Sequence, residues 1–191
     1  MNNYVYIIAS LPDLTREISG TGEDSGEILE EIRSLLGSSD QKTFDLLLSS
    51  YEPGGPDENF YELCAASRNP FLREWSRFDL CLRNTRARYL NSRLGRDPEK
   101  GCISGEIDAT VAQNVNRILS EKDIVERERR LDDLCWEKAD ELCEMKNFCL
   151  DVILGFVVKF KIVQRWSGLD PEEGRRRLQE LMQQIRKTKD I

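Results

Sequence analysis

Apolar residues recur at helical spacing along almost the whole chain. Ile28, Leu29, Ile32, Leu35 and Leu36 form one stripe, with Gly37 expected to stop it. Ser38 and Gln41 have the spacing of a capping box for a following helix that carries Phe44, Leu47 and Leu48. The turn residues of EPGGP at 52–56 close that segment, and a short helix with Phe60, Leu63 and Cys64 inward is expected next. Asn69-Pro70 reads as a helix start, because Asn caps and Pro at the first position loses no hydrogen bond. Phe71, Trp75, Phe78, Leu82, Thr85 and Tyr89 then follow in steps of three and four, one seam along a long helix that Gly95 would cap.

The second half repeats the pattern. Val111, Val115, Ile118 and Leu119 predict a helix. A long charged helix is expected over 121–146, with Ile124, Leu131, Leu134, Cys135, Leu142 and Met145 as a thin apolar stripe. Residues 148–166 are apolar nearly all round, the mark of a helix enclosed on most sides. Asp170-Pro171-Glu172-Glu173 starts a last helix, with Leu178, Leu181, Met182 and Ile185 as its buried face. Tyr4 to Ala9 reads as strand or helix; nothing else alternates like a strand to pair with it, which favours helix, interrupted near Pro12. Residues 19–26 (SGTGEDSG) have the composition of a loop. The expectation is an all-α fold of seven or eight helices in two packed bundles, an N-terminal subdomain over 1–95 and a C-terminal one over 106–191, with 96–105 as linker. No repeat of 20 to 50 residues is present.

Charge and composition narrow the function. The net charge of −7 lacks the basic footprint of a general nucleic-acid binder and disfavours anionic lipid. The chain has no histidine, which removes the commonest general base and metal ligand. Its six cysteines form no C-x-x-C pair, and Cys64, Cys81 and Cys135 sit among apolar helical residues as buried free thiols would. The longest apolar run, Val152 to Val158, is far short of the about 20 residues of a spanning helix. The N-terminus has no basic region ahead of its short apolar run, so no signal peptide is expected. A cytoplasmic protein is expected, with any peripheral membrane association made through a protein partner.

No chemistry stands out. SGTGEDSG lacks the Gly-Lys-Ser/Thr ending of a phosphate loop. Glu137, Asp140, Glu141 and Glu144 have the density of a carboxylate metal site, but the paired Glu-x-x-His of such bundles is missing, and a solvated, ion-paired face is the plainer reading. No enzyme activity, metal or cofactor is therefore expected. Arg83, Arg86, Arg88, Arg93 and Arg96 give the central helix a basic flank, and Arg175, Arg176 and Arg177 form a second cluster. Arg83, Arg86 and Arg93, expected opposite the Trp75–Phe78–Leu82 seam, are the candidate partner contacts. Between 123 and 144 the net charge is −5, and between 159 and 189 it is +5, a segregation that orients a docking partner or is neutralised between neighbouring helices.

Three segments carry a family resemblance: Tyr4-Val5-Tyr6-Ile7-Ile8-Ala9-Ser10-Leu11; Asn69 through Trp75 with Phe78-Asp79 and Leu82-Arg83-Asn84; and Ile153 through Lys161 with Gly168-Leu169-Asp170-Pro171-Glu172-Glu173. Together they resemble the C/d-type subunits of the V/A-type ATPases. The first two are more similar still to a group of uncharacterised bacterial proteins encoded beside V-type ATPase genes. The resemblance implies a non-catalytic, all-helical coupling subunit that links the central rotor shaft to the membrane ring, or assists assembly. Its implied partners are rotor subunits or the ring. The chain departs from the family in being too short for three full bundles, and in Leu82 standing where an asparagine near Asp79 is expected, unless Asn84 serves instead. The alternatives are a helical adaptor or regulatory protein unrelated to ATPases and, below that, an enzyme with a cysteine or carboxylate site.

Overall fold

A computed structural model of the chain describes residues 4–16 and 25–168, with Arg176 and Glu180 in helical conformation. The described residues form eight helices and no strand: α1 (Tyr4–Ser10), α2 (Ser25–Leu35), α3 (Ser38–Ser49), α4 (Glu58–Ala65), α5 (Pro70–Arg93), α6 (Ala109–Leu119), α7 (Ile124–Cys143) and α8 (Leu150–Ser167). The fold is all-α. The expected buried face of the last helix, Leu178 to Ile185, lies outside the described residues, as does most of the 19–26 loop; Ser25 and Gly26 already belong to α2.

Asp and Asn side chains start most of the later helices. Asn69 accepts the amide of Leu72 at 2.8 Å, with Pro70 in the first turn of α5. Asp57, Asp108 and Asp123 do the same for α4, α6 and α7. Each satisfies amides that a helix leaves without an internal partner. Gly95 ends α5 as expected, at φ +63°, with its amide on Ser92 and that of Arg96 on Asn91. This double bond is the Schellman arrangement, and it places Gly95 where a side chain would be strained. The capping box at Ser38 does not form. Gly37 takes the cap position in extended conformation, and the Gln41 side chain donates to the Arg33 carbonyl instead.

α8 lies at the centre. Ile153, Leu154, Val157, Val158 and Phe160 are fully buried, and Phe156 stacks on Phe160 with 5.6 Å between ring centres. α7 lies along it most extensively, with α1, α3 and α5 on other sides. The α5 seam is buried from Phe71 through Thr85, and its aromatic rings Phe71, Trp75 and Phe78 touch in series. Gly155 leaves no room for a side chain: a β-carbon there would collide with Cys143 Sγ on α7 and lie 3.6 Å from the Phe71 ring on α5. α1 is helical, and its Ile7 enters the same core, entirely buried. Residues on both sides of 96–105 share this one apolar cluster. The 96–105 segment itself folds back on α5, where the Asn84 amide both donates to the Ile103 carbonyl at 2.7 Å and accepts its N–H at 3.0 Å.

Some inward positions differ from the periodicity. On α4, Leu63 is half exposed and Tyr61 is buried in its stead. On the charged helix, Ile124 and Met145 face outward, while Leu131, Trp136 and Ala139 are buried. The helix ends earlier than 146 because Glu144 turns extended and Met145 adopts φ +61°.

Phe160→Ala should cost about 3–5 kcal/mol in denaturant unfolding, the range for a large aromatic in a core that cannot collapse. A second prediction concerns Gly155. Gly155→Ala gains up to about 1 kcal/mol of helix propensity but meets Cys143, an overpacking worth about 1–3 kcal/mol. Alone it should destabilise; in a Cys143→Ala background the same change should be neutral or stabilising in the double-mutant cycle.

Candidate functional site

Helical spacing brings a set of charged residues to one cleft. On α5, Trp75, Asp79, Leu82, Arg83 and Arg86 fall on one face; on α8, Val158, Lys161, Ile162 and Arg165 do; on α7, Leu131, Asp132 and Cys135 do. With Ser50 and Tyr51 at the end of α3 and Gln164, they line a cavity of about 510 Å³. Arg83 and Arg86 therefore stand beside Trp75 and Leu82, not on the opposite flank, since the step from 82 to 86 is one helical turn. Arg93 lies outside the cleft, exposed, with its guanidinium 5.3 Å from the Tyr89 ring. Of the second basic cluster only Arg176 is among the described residues.

Most of the charges in the cleft are neutralised locally. Arg83 Nε and the Tyr61 hydroxyl both donate to Asp79 Oδ2 at 2.7 Å. Burial opposes the Arg83 charge, but Asp79 outweighs it and the guanidinium pKa rises. Burial and then Asp79 raise the Tyr61 phenol above its ordinary value, and the same causes raise Tyr51. Arg86 bonds Glu128 across to α7 at 3.1 Å. Arg165 pairs with Asp132, which also accepts the Trp166 indole N–H at 2.6 Å. Burial raises the Asp132 carboxyl against the opposing pull of Arg165 and Trp166.

Lys161 differs. Its ammonium donates to Gln164 Oε1 at 3.0 Å and meets no carboxylate among the described residues, and burial lowers its pKa. A partly buried cation without a counter-charge costs stability.

A second cavity of about 540 Å³ lies beyond Asp132 and Ile162, which line both. Its tryptophans are covered by cations: Arg16 and Lys159 over Trp136, at 5.7 and 5.3 Å, and Arg129 and Arg165 over Trp166, at 5.4 and 5.5 Å. Arg16 also reaches Asp133 at 3.5 Å, tying the segment after α1 to α7.

The carboxylates of the charged helix are exposed as expected at Glu137, Asp140, Glu141 and Glu144. Among the described residues no three Cys, Asp or Glu side chains converge as a metal site. All six cysteines are free. Burial pushes Cys64 and Cys135 up to about 12 and Cys143 up to about 11. Nothing in the sequence singles out Tyr51 or Asp132. The signal for Lys161 is its position as a charge one turn beyond the apolar run of 152–158.

Comparison with known proteins adds little to this geometry. A family model described as a protein of unknown function (DUF2764) matches residues 105–189, less than half of the chain. That span includes α6, α7 and α8 but not α3 or α5. No curated protein and no solved structure matches the chain.

Two outcomes follow from the electrostatics. Lys161→Met should raise stability by about 0.5–1 kcal/mol in urea titration, as relief of a partly desolvated cation with no carboxylate among the described residues does; contact with solvent keeps the gain small. Iodoacetamide at pH 8 should modify Cys64 and Cys135 about a thousandfold more slowly in the native than in the urea-unfolded chain, followed by mass spectrometry, because so little thiolate is present.

Proposed function

We propose that this chain is a non-catalytic coupling subunit of a bacterial V/A-type ATPase, linking rotor shaft and membrane ring or assisting their assembly. The observation that supports a docking role is the cleft itself. It has apolar walls from Trp75, Leu82, Leu131, Val158 and Ile162, cations from α5 and α8, and one ammonium that meets no carboxylate among the described residues. Such a surface suits an acidic partner segment, with apolar contact supplying affinity and charge the register. Arg83 and Arg86 are the contacts proposed within it, and Arg93 extends the basic surface along α5.

A catalytic role has less support. The thiols raised by burial are poor nucleophiles, and Asp132 is held by Arg165 and Trp166 rather than presented to a substrate. The choice of ATPase rests on the resemblance of the three segments to the C/d-type subunits. No helix among the described residues is long and apolar enough to cross a membrane, so contact with the ring would run through protein surfaces.

The test is affinity capture of the tagged chain from its native organism at low and moderate salt, with mass spectrometry of the eluate. The wild type should recover a shaft or ring component, and Arg86→Glu with Arg93→Glu should reduce recovery about tenfold while the circular dichroism spectrum is kept. If no ATPase component is recovered at either salt, the assignment falls and a helical adaptor for another partner replaces it.

A further inference from the structure

We infer that the cleft between α5, α7 and α8 is a binding site for a single carboxylate carried on an apolar body, with Lys161 as its counter-charge. This deepens the docking reading of the same cleft, and rests on it only for where the carboxylate comes from.

Charge balance selects the ligand. Among the described lining residues are four cations, Arg83, Arg86, Lys161 and Arg165, and two carboxylates, Asp79 and Asp132. Glu128, bonded to Arg86 and 3.9 Å from Arg165, brings a third carboxylate to the edge. One positive charge remains, and the pairings place it on Lys161. A monoanion neutralises that excess. A phosphate dianion would overshoot it beside three fixed carboxylates, at an electrostatic cost that grows in a partly desolvated site.

The walls select the rest of the ligand. Trp75, Leu82 and Leu131 are buried apolar side chains from two helices, and Val158 and Ile162 close the α8 side. A cavity of about 510 Å³ holds an aromatic ring or a branched aliphatic side chain together with its carboxylate. Small, strongly hydrated anions forgo that contact. The chemistry is shared by a Glu or Asp next to a bulky apolar residue in a docking segment and by a free aryl or alkyl carboxylic acid.

The experiment uses the full chain labelled with ¹³C-lysine, the Lys161 ε resonance being assigned by its loss in Lys161→Gln. The probes are 4-phenylbutanoate, its neutral amide, inorganic phosphate, and a capped peptide with one Glu between leucines beside its Gln counterpart. The two carboxylates should shift the Lys161 resonance saturably, and the amide, the Gln peptide and phosphate should bind at least about tenfold more weakly. Tryptophan fluorescence should show binding of the carboxylates weakened at least about tenfold in Lys161→Gln and retained in Lys161→Arg, both with unchanged circular dichroism. A peptide that binds more tightly than phenylbutanoate identifies a partner side chain as the source, and the reverse order identifies a free acid; either result supports the site. Phosphate or amide binding as tight as the carboxylate, no saturable shift, or full binding by Lys161→Gln overturns it. Carboxylate binding without capture of an ATPase component sinks the partner assignment alone, and capture without carboxylate binding sinks this site alone.

Discussion

A helix that is apolar on nearly every side has to be surrounded, and α8 imposes that requirement on the rest of the chain. From Ile153 to Val158 it offers no polar face, so water must be replaced by protein around its whole circumference. α7, α5, α3 and α1 supply that enclosure. The missing side chain at Gly155 lets α7 come close enough for Cys143 to fill the space, with the Phe71 ring of α5 at van der Waals distance. One core therefore draws on segments from both ends of the sequence.

The same enclosure decides what happens to the charges on α8. Asp151, at its buried start, is held by the Asn69 amide at 2.6 Å and by Lys146 at 2.7 Å, joining the first turns of α5 and α8 to the loop after α7. Lys159 pairs with Asp140 and Arg165 with Asp132, both on α7. Two of the acidic residues of α7 are thus neutralised by the adjacent helix, leaving less of that charge to steer a distant partner. Among the described residues, Lys161 is the member of this set that finds only an amide oxygen. Its position follows from the helix: one turn past Val157 and Val158, it lines the cleft together with residues of α5 and α7.

Much of the architecture was legible residue by residue. The Asn69-Pro70 start, the Phe71-to-Thr85 seam, the Gly95 end and the all-round apolar character of α8 are local facts, set by backbone sterics, capping and spacing. Local pattern failed where two local solutions compete or where a neighbour's shape matters. Ser38 could have capped α3, but the chain turns one residue earlier at Gly37. Leu63 and Tyr61 are two positions apart on a single short helix, and the hydrogen bond from Tyr61 to Asp79 accompanies the burial of the larger side chain. Ile124 and Met145 continue the α7 stripe in sequence, yet they lie at its ends, where no helix among the described residues covers them.

The sequence by itself determined that this is a helical protein, where most helices begin, and which seam of α5 and which stretch of α8 go inside. Those properties depend on interactions within a few turns of one segment. The tertiary structure alone decided that Arg86 pairs with Glu128 on α7, that Asp132 links two cavities, and that Lys161 is left without a carboxylate among the described residues. Partnership between charges depends on which helices become neighbours and at what rotation, and helical spacing along a single segment carries no record of that.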